Sequence, residues 1–383
     1  MKIGMVSHSF LPQIGGKELY IYHLAKELAR LGHEPHVVTS NARARYEVVT
    51  LRGIAIHLLP SIALKIPRTS ASYYRFMPTL FRFLDRMRFD LLNLQEYSTS
   101  ATDLSTLFGY LRNVPTVLTV HNPWFLSNAL YNVALKVHQS TLGRLEAKVF
   151  DRVIVVSRVM RAKFVNAFPE LANRIVLVNN GVSLDYYHPT AASSSPGGAK
   201  KILFLSRISK EKGVKELVEA FARLCKKHDD LRLLIVGPRT EFVPQVNRQV
   251  QRLGLSDRVE IRPPVLGRNK VAVIDESDCM CLPSFIESCP STILEAMAMN
   301  KPIVATRIPG ILELLPSDDY GWLVEPGDVE DLASGLEGAL FNDKASEGKT
   351  QKARLHVENY DWSRVGKRVL EVFNEAIADH STN

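Results

Sequence analysis

With 383 residues, 46% of them hydrophobic, the chain is long enough for two domains with a core each, and no stretch is long and apolar enough to span a bilayer. The 48 lysines and arginines exceed the 40 aspartates and glutamates, for a net charge of +8; residues 1–190 hold 22 basic against 12 acidic residues, the rest 26 against 28. An amino half so charged expects an anionic partner such as a membrane surface or a lipid phosphate, and no familiar nucleic-acid module is present to make that partner RNA or DNA.

The chain opens on Met1-Lys2-Ile3-Gly4-Met5-Val6-Ser7-His8, a short apolar run ended by a histidine, which reads as a buried strand and not as a signal peptide. The loop after it is bent by Pro12 and closed by Gly15 and Gly16, where bare backbone can approach a ligand; a Gly-Gly pair is also an ordinary turn. Ile21, Leu24, Ala25, Leu28 and Leu31 then recur with helical period until Gly32, and Glu34 to Thr39 form the next strand. This is a βαβ unit with a glycine turn at its crevice, without the G-x-G-x-x-G dinucleotide fingerprint. Residues 65–89 interleave Lys65, Arg68, Arg75, Arg82, Arg86 and Arg88 with Tyr73, Tyr74, Phe76, Phe81, Phe83 and Phe89. A basic aromatic helix of that kind either lies among lipid headgroups or, more commonly, packs its aromatics inward behind solvated arginines. Leu91 to Gln95, Val117 to Val120 and Val153 to Val156 are strand-like. The second of these runs straight into His121, at the end of a parallel strand where open α/β sheets place ligand chemistry; a satisfied loop histidine fits those residues equally.

Val176 to Val182 is a strand ending in an Asn179-Asn180-Gly181 turn suited to positive φ, and Ala191 to Gly198 is small, polar and periodless, a linker. The pattern restarts at Lys201 to Ser206, followed by Arg207 and Lys212 in a loop and by a helix with Val214, Leu217, Val218, Phe221 and Cys225 on one face. A guanidinium fork and a mobile ammonium together suit a diphosphate, although loop cations are usually just solvated. Leu231 to Val236 and Arg258 to Ile261 are further strands, and Cys279 to Leu282 another. Cys225, Cys279, Cys281 and Cys289 lack paired metal-ligand spacing and read as free thiols in a reducing cytoplasm. After that last strand comes F-I-E-S-C-P-S-T-I-L-E-A-M, residues 285–297. Pro290 suits the first helical position and Ser288 the cap, so a helix is expected from about Cys289, its N–H groups offered to phosphate. Glu287 stands beside that seat and Glu295 further along the helix; the pair suits a ligand with phosphate and sugar, while spacing alone describes ordinary dipole partners. Lys301 to Thr306 is a strand, Gly321 to Asp328 leads into another helix, and Tyr360-Asp361-Trp362-Ser363 begins the last one.

Together these features resemble the retaining glycosyltransferases of family 4, with GT-B architecture, over nearly the whole chain. Four motifs carry the resemblance in the family's order: Gly15-Gly16 with Glu18 two positions on, His121 after its strand, Arg207 to Gly213 as R-x-x-x-x-K-G, and the Glu287…Glu295 pair. Pro238-Arg239 stands where the family often has a longer glycine-rich stretch. The resemblance implies an α/β fold of two Rossmann-like domains whose parallel sheets face a central cleft. It places an acceptor-side domain at 1–190, a linker at 191–200, a donor domain at 201–360 and a final helix at 361–383 that crosses back to the first domain. It further implies that Gly15, Gly16, Arg207, Lys212, Ser288, Ser291 and Thr292 hold the donor's diphosphate, Glu295 the ribose hydroxyls and Glu287 the donor hexose, with His121 near the transferred sugar and the acceptor.

The expected activity is transfer of a hexose from a UDP- or GDP-sugar to an acceptor hydroxyl, with a lipid-linked glycan, glycolipid or polysaccharide as candidate acceptors, in the cytoplasm or at the inner face of the membrane. No Asp-x-Asp occurs, so cationic side chains are expected at the diphosphate in place of a metal ion, and no cofactor is expected. A sugar-nucleotide epimerase or phosphorylase of similar architecture, or a non-enzymatic basic protein on anionic lipid or nucleic acid, are the competing readings. The last leaves Arg207, Lys212, Glu287 and Glu295 unexplained.

Overall fold

The computed structural model describes residues 1–12, 15–41, 45–65, 73–121, 129–189 and 198–382. They form two compact units, Met1–Asn180 with Trp362–Asn383, and Gly181–Asp361. The first holds β1 (Lys2–Val6), β2 (Glu34–Asn41), β3 (Glu47–Leu51), β4 (Ile54–Pro60), β5 (Ile62–Lys65), β6 (Tyr73–Phe76), β7 (Leu91–Leu94), β8 (Thr116–Val120), β9 (Arg152–Val155) and β10 (Ile175–Leu177). Its main sheet runs β10-β9-β8-β7-β1-β2-β4-β3, parallel throughout except for the antiparallel edge pair β3–β4. Strands covered on both faces need no polar alternation, and β7 and β8 are buried at every position.

Two clusters cover that sheet. Ile3 and Met5 of β1 pack with Ile21, Leu24 and Leu28 of the Gly16–Arg30 helix, while Val6, Leu92 and Leu118 pack with Phe150, Phe164 and Phe168 on the opposite side. The final helix, Trp362–Thr382, joins the first cluster through Trp362, Val365, Val369, Val372, Phe373 and Ala376, a stripe at helical spacing that lies along the Gly16–Arg30 helix.

The second unit is a six-stranded all-parallel sheet of β11 (Lys200–Leu205), β12 (Leu231–Val236), β13 (Val259–Arg262), β14 (Cys279–Leu282), β15 (Ile303–Thr306) and β16 (Trp322–Val324), in the order β13-β12-β11-β14-β15-β16. Its core joins Phe204 and Ile235 of the sheet to Val214, Leu217, Val218 and Phe221 of the Val214–Leu224 helix. In each sheet the order of the parallel strands reverses once, between β1 and β7 and between β11 and β14. At such a switch point the connecting helices diverge to opposite faces and leave a crevice at the carboxyl ends of the strands.

Several expectations are corrected. The units divide at Asn180/Gly181, not at 191–200, and β11 already begins at Lys200; residues 191–197 of the expected linker lie outside the described residues. Residues 181–189 belong to the second unit because Val182 bridges Asp361 and donates its N–H to the Tyr360 carbonyl at 2.9 Å. Neither Asn180 nor Gly181 has a positive φ. The stretch 65–89 is not one helix: β5 and β6 pair antiparallel and an eight-residue helix, Leu80–Met87, follows, with 66–72, including Arg68, outside the described residues. Leu80 and Leu84 of that helix are buried, Phe81 and Phe83 half-buried, and Arg82 and Arg86 exposed, the inward packing of aromatics. Ser288 does not cap the helix after β14, which begins at Ser291 with Pro290 in the capping position.

Candidate functional site

In the second unit the loops leaving β11 and β14 meet above the switch point. Lys210–Lys212 is a single helical turn ended by Gly213 at φ 67°, and a Cβ there would lie 2.0 Å from the Pro283 carbonyl oxygen, so only glycine lets the two loops approach. The Phe285 N–H donates to the Glu211 carbonyl at 2.8 Å. The Lys212 ammonium then donates to Glu287 Oε1 at 2.6 Å, and the Ser284 hydroxyl to the same oxygen at 2.9 Å. Arg207 is exposed and makes no hydrogen bond among the described residues.

The Ser291–Ala298 helix starts beside these loops. The Ile293 N–H is taken by the Pro290 carbonyl at 3.1 Å, whereas those of Ser291 and Thr292 precede the first intrahelical acceptor. Pro290 offers no side-chain oxygen to cap them, and the buried Ser288 hydroxyl has no partner among the described residues. Uncapped first-turn donors beside the Lys212–Glu287 contact are the groups with which a helix start receives an anion. Glu295, by contrast, is buried among protein partners. Its Oε1 accepts from the Lys270 ammonium at 2.5 Å and from the Tyr187 hydroxyl at 3.1 Å, which leaves only Oε2, buried and without a partner among the described residues, for a hydroxyl ligand.

In the first unit the crevice lies between the loops after β1, β7 and β8. His121 is buried, its Nε2 2.9 Å from Gln95 Oε1. The Gln95 amide nitrogen donates to Asn93 Oδ1, and Asn93 donates to Thr119 Oγ1 at 2.9 Å. This chain orients the Gln95 carbonyl toward the imidazole, so His121 donates from Nε2 and keeps a lone pair on Nδ1. Burial, with the Lys17 charge nearby, pushes His121 down to about 3, so the ring is neutral at ordinary pH. Tyr20 packs edge-on against it, ring centroids 4.6 Å apart.

Lys17 is the buried cation of this crevice: its ammonium reaches Glu96 Oε2 at 2.8 Å, and His8 Nδ1 reaches the same oxygen at 2.7 Å. Burial alone would raise the Glu96 carboxyl, but Lys17 and His8 outweigh it and hold that group well below the usual carboxylate range. The Ser9 hydroxyl donates to Glu18 Oε1 at 2.7 Å, and a Cβ on Gly15 would fall 2.3 Å from the other Glu18 oxygen. A carboxylate thus covers Gly15, while a Cβ on Gly16 would meet nothing within 4 Å. Asn122, Pro123 and Trp124, which follow His121, lie outside the described residues.

Lys212 and Glu287 are therefore in direct contact, with Ser291 and Thr292 at the adjacent helix start. Gln95, Lys17, Glu96, Lys270 and Tyr187 were missed in the sequence. Gln95-Glu96 follows β7 as His121 follows β8, so the strand-end rule that singled out His121 applied there too; nothing local marks Lys270 or Tyr187.

Residues 14–186 match the family model described as Glycosyltransferase Family 4, and residues 190–356 the one described as Glycosyl transferases group 1. A phosphatidyl-myo-inositol mannosyltransferase from Mycobacterium leprae is 29% identical over 385 residues, covering 97% of this chain and 96% of its own. The GPI3 subunit of phosphatidylinositol N-acetylglucosaminyltransferase from Saccharomyces cerevisiae is 24% identical over 391 residues, 100% of this chain and 84% of its own. Among solved structures, Anabaena HepE in complex with UDP and glucose superposes with a TM-score of 0.79 at 18% identity, over 98% of this chain and 99% of that one.

Proposed function

The chain belongs to glycosyltransferase family 4 and has the GT-B fold, and on that premise we propose that it moves a hexose from a UDP- or GDP-sugar to an acceptor hydroxyl with retention at the anomeric carbon. The observation that carries this reading is the Lys212–Glu287 contact at 2.6 Å, beside the uncapped start of the Ser291–Ala298 helix. Negative charge grows on the diphosphate as the glycosidic bond breaks. Lys212, held by Glu287, and the Ser291 and Thr292 N–H groups stabilise that charge from fixed positions, and the exposed Arg207 adds a guanidinium; such electrostatic stabilisation is usually the largest single term in a reaction of this kind. Glu287, oriented by Lys212 and Ser284, holds hydroxyls of the donor hexose, and Glu295 Oε2 takes a ribose hydroxyl. The acceptor attacks on the face from which the diphosphate leaves, the departing phosphate oxygen taking its proton, so the configuration is kept without a covalent enzyme intermediate.

In the first unit, His121 with its lone pair on Nδ1 and the open Gly16 backbone are the groups assigned to the sugar and the phosphates. Relatives named for phosphatidyl-myo-inositol and phosphatidylinositol support a lipid-borne acceptor, and the ten excess positive charges of residues 1–190 support its presentation at an anionic membrane surface. No helix among the described residues is long and apolar enough to cross a membrane.

The test is a thermal-shift titration with UDP, GDP and ADP on wild type and Arg207→Ala. A ligand at ~100 times its Kd adds about 2.7 kcal/mol of stability. One nucleotide raising the wild-type midpoint and much less that of the variant names the donor and locates its diphosphate. The same shift with and without added magnesium or manganese supports cationic side chains in the metal's place. No response to any nucleotide removes the reading.

A further inference from the structure

The first unit also gathers Asp103, His138 and Glu146, from the helices Ser100–Arg112, Ala129–Ser140 and Leu142–Val149, with one ligand atom of each within 4.8 Å of the others. His138 Nε2 lies 3.4 Å from Asp103 Oδ1 and 3.8 Å from Glu146 Oε2. Both separations exceed the ordinary N–H···O range of about 2.7–3.2 Å. They are close to the edge of a tetrahedron built on bonds of about 2.0–2.2 Å, which is roughly 3.3–3.6 Å. Glu146 is only 2% exposed, it faces the Asp103 carboxylate, and no N–H or O–H group of the described residues donates to either of its oxygens. No lysine or arginine pairs with Asp103 or Glu146 there either; His138 is the single basic group facing both. A carboxylate buried with no donor is costly unless a proton or a cation joins it.

The other side of the imidazole is also arranged. His138 Nδ1 is 3.1 Å from the Tyr97 hydroxyl. Tyr97 reaches it because residue 143 is glycine, where a Cβ would fall 2.0 Å from that hydroxyl. Anchoring one ring nitrogen by a hydrogen bond directs the lone pair of the other at the two carboxylates, which is how metal-ligating histidines are oriented. We propose that Asp103, His138 and Glu146 bind one divalent transition-metal ion that ties their three helices together. One imidazole with two carboxylates suits zinc, and Tyr97 positions the histidine without touching the ion. All three ligands belong to the first unit, whereas Lys212, Glu287 and the Ser291–Ala298 helix belong to the second.

The probe is zinc chloride alone, added to the full chain after chelator treatment and desalting, with bound metal counted by elemental analysis after gel filtration. The expected result is one zinc ion retained per chain, a melting temperature raised by zinc, and visible absorption bands when cobalt replaces zinc. Glu146→Gln, which keeps the size and shape of the side chain, and Asp103→Asn should abolish all three. Wild type retaining no stoichiometric zinc, or Glu146→Gln retaining as much as wild type, would overturn the site. Should a variant fold poorly, the cobalt spectrum of wild type decides alone: absence of absorption bands beyond those of aqueous cobalt means no site.

Discussion

The contact between Lys212 and Glu287 allows a quantitative test by double-mutant cycle. The two groups are 2.6 Å apart, with side chains 14% and 10% exposed, so the pair is largely but not wholly desolvated. Breaking a fully buried pair costs about 3–5 kcal/mol and an exposed one no more than about 1. For this degree of exposure, Lys212→Met should destabilise the second unit by about 2 kcal/mol. Glu287→Gln should cost less, because the amide oxygen can still accept from Lys212 and Ser284. The double variant should recover part of the loss, with a coupling of about 1–2 kcal/mol, since neither charge is left stranded. Nucleotide binding separates the roles. Loss of one charged hydrogen bond to the diphosphate is worth about 1.5–3 kcal/mol, so Lys212→Met should raise the nucleoside-diphosphate Kd roughly 10- to 150-fold and leave the nucleoside Kd unchanged. Glu287→Gln should cut sugar transfer severely with nucleotide affinity nearly intact. Calorimetry with the diphosphate and its nucleoside, together with urea denaturation of the four proteins, measures both. Strict additivity in the cycle, or equal loss of nucleoside and diphosphate in Lys212→Met, would refute the assignment.

Arg207→Ala should weaken the nucleoside diphosphate far more than the nucleoside, while stability changes by no more than about 0.5 kcal/mol because the side chain is exposed; an unchanged diphosphate affinity counts against its role. Glu295→Ala strands the buried Lys270 ammonium and should cost about 3–5 kcal/mol, lowering the melting temperature of the protein by roughly 10 °C. A variant that melts like wild type but loses nucleotide would make Glu295 a ligand group alone. His121 titrates at about 3 when folded against an unfolded value of 6.5. The folded state then binds fewer protons in that window, so its contribution to stability is complete above pH 6.5 and is lost as pH falls toward 3. The depressed Glu96 carboxyl acts in the same direction below its unfolded value of 4.5. Urea midpoints from pH 4 to 7 should therefore rise steeply for wild type and less for His121→Gln; parallel curves would place the acid sensitivity elsewhere.

Most elements of both sheets were legible, because a strand buried on both faces and a helix with one apolar stripe declare themselves within a few residues. The β3–β4 edge pair was not. Val48 and Val49 of β3 are exposed, so the segment carries no burial pattern to read. The stretch from 65 misled for a related reason: aromatic and basic residues interleave at a spacing that suits a helix, but Tyr73–Phe76 pairs antiparallel with Ile62–Lys65, a pairing that propensity within the stretch does not encode.

The family could be read from the sequence alone, and so could the candidate residues Gly15, Gly16, His121, Arg207, Lys212, Glu287 and Glu295. Strand ends, glycine turns and helix starts are local, and the spacing of motifs along them survives in any one chain. Tertiary structure decided what each charged group faces. Glu287 pairs with a lysine 75 positions away, Glu295 with Lys270 and with Tyr187 108 positions away, and His121 with Gln95 from the neighbouring strand. Those partners are brought together by strand order and by the switch points, and the fate of a carboxylate, whether offered to a ligand or consumed by a neighbour, depends on burial and donor geometry that no local pattern encodes.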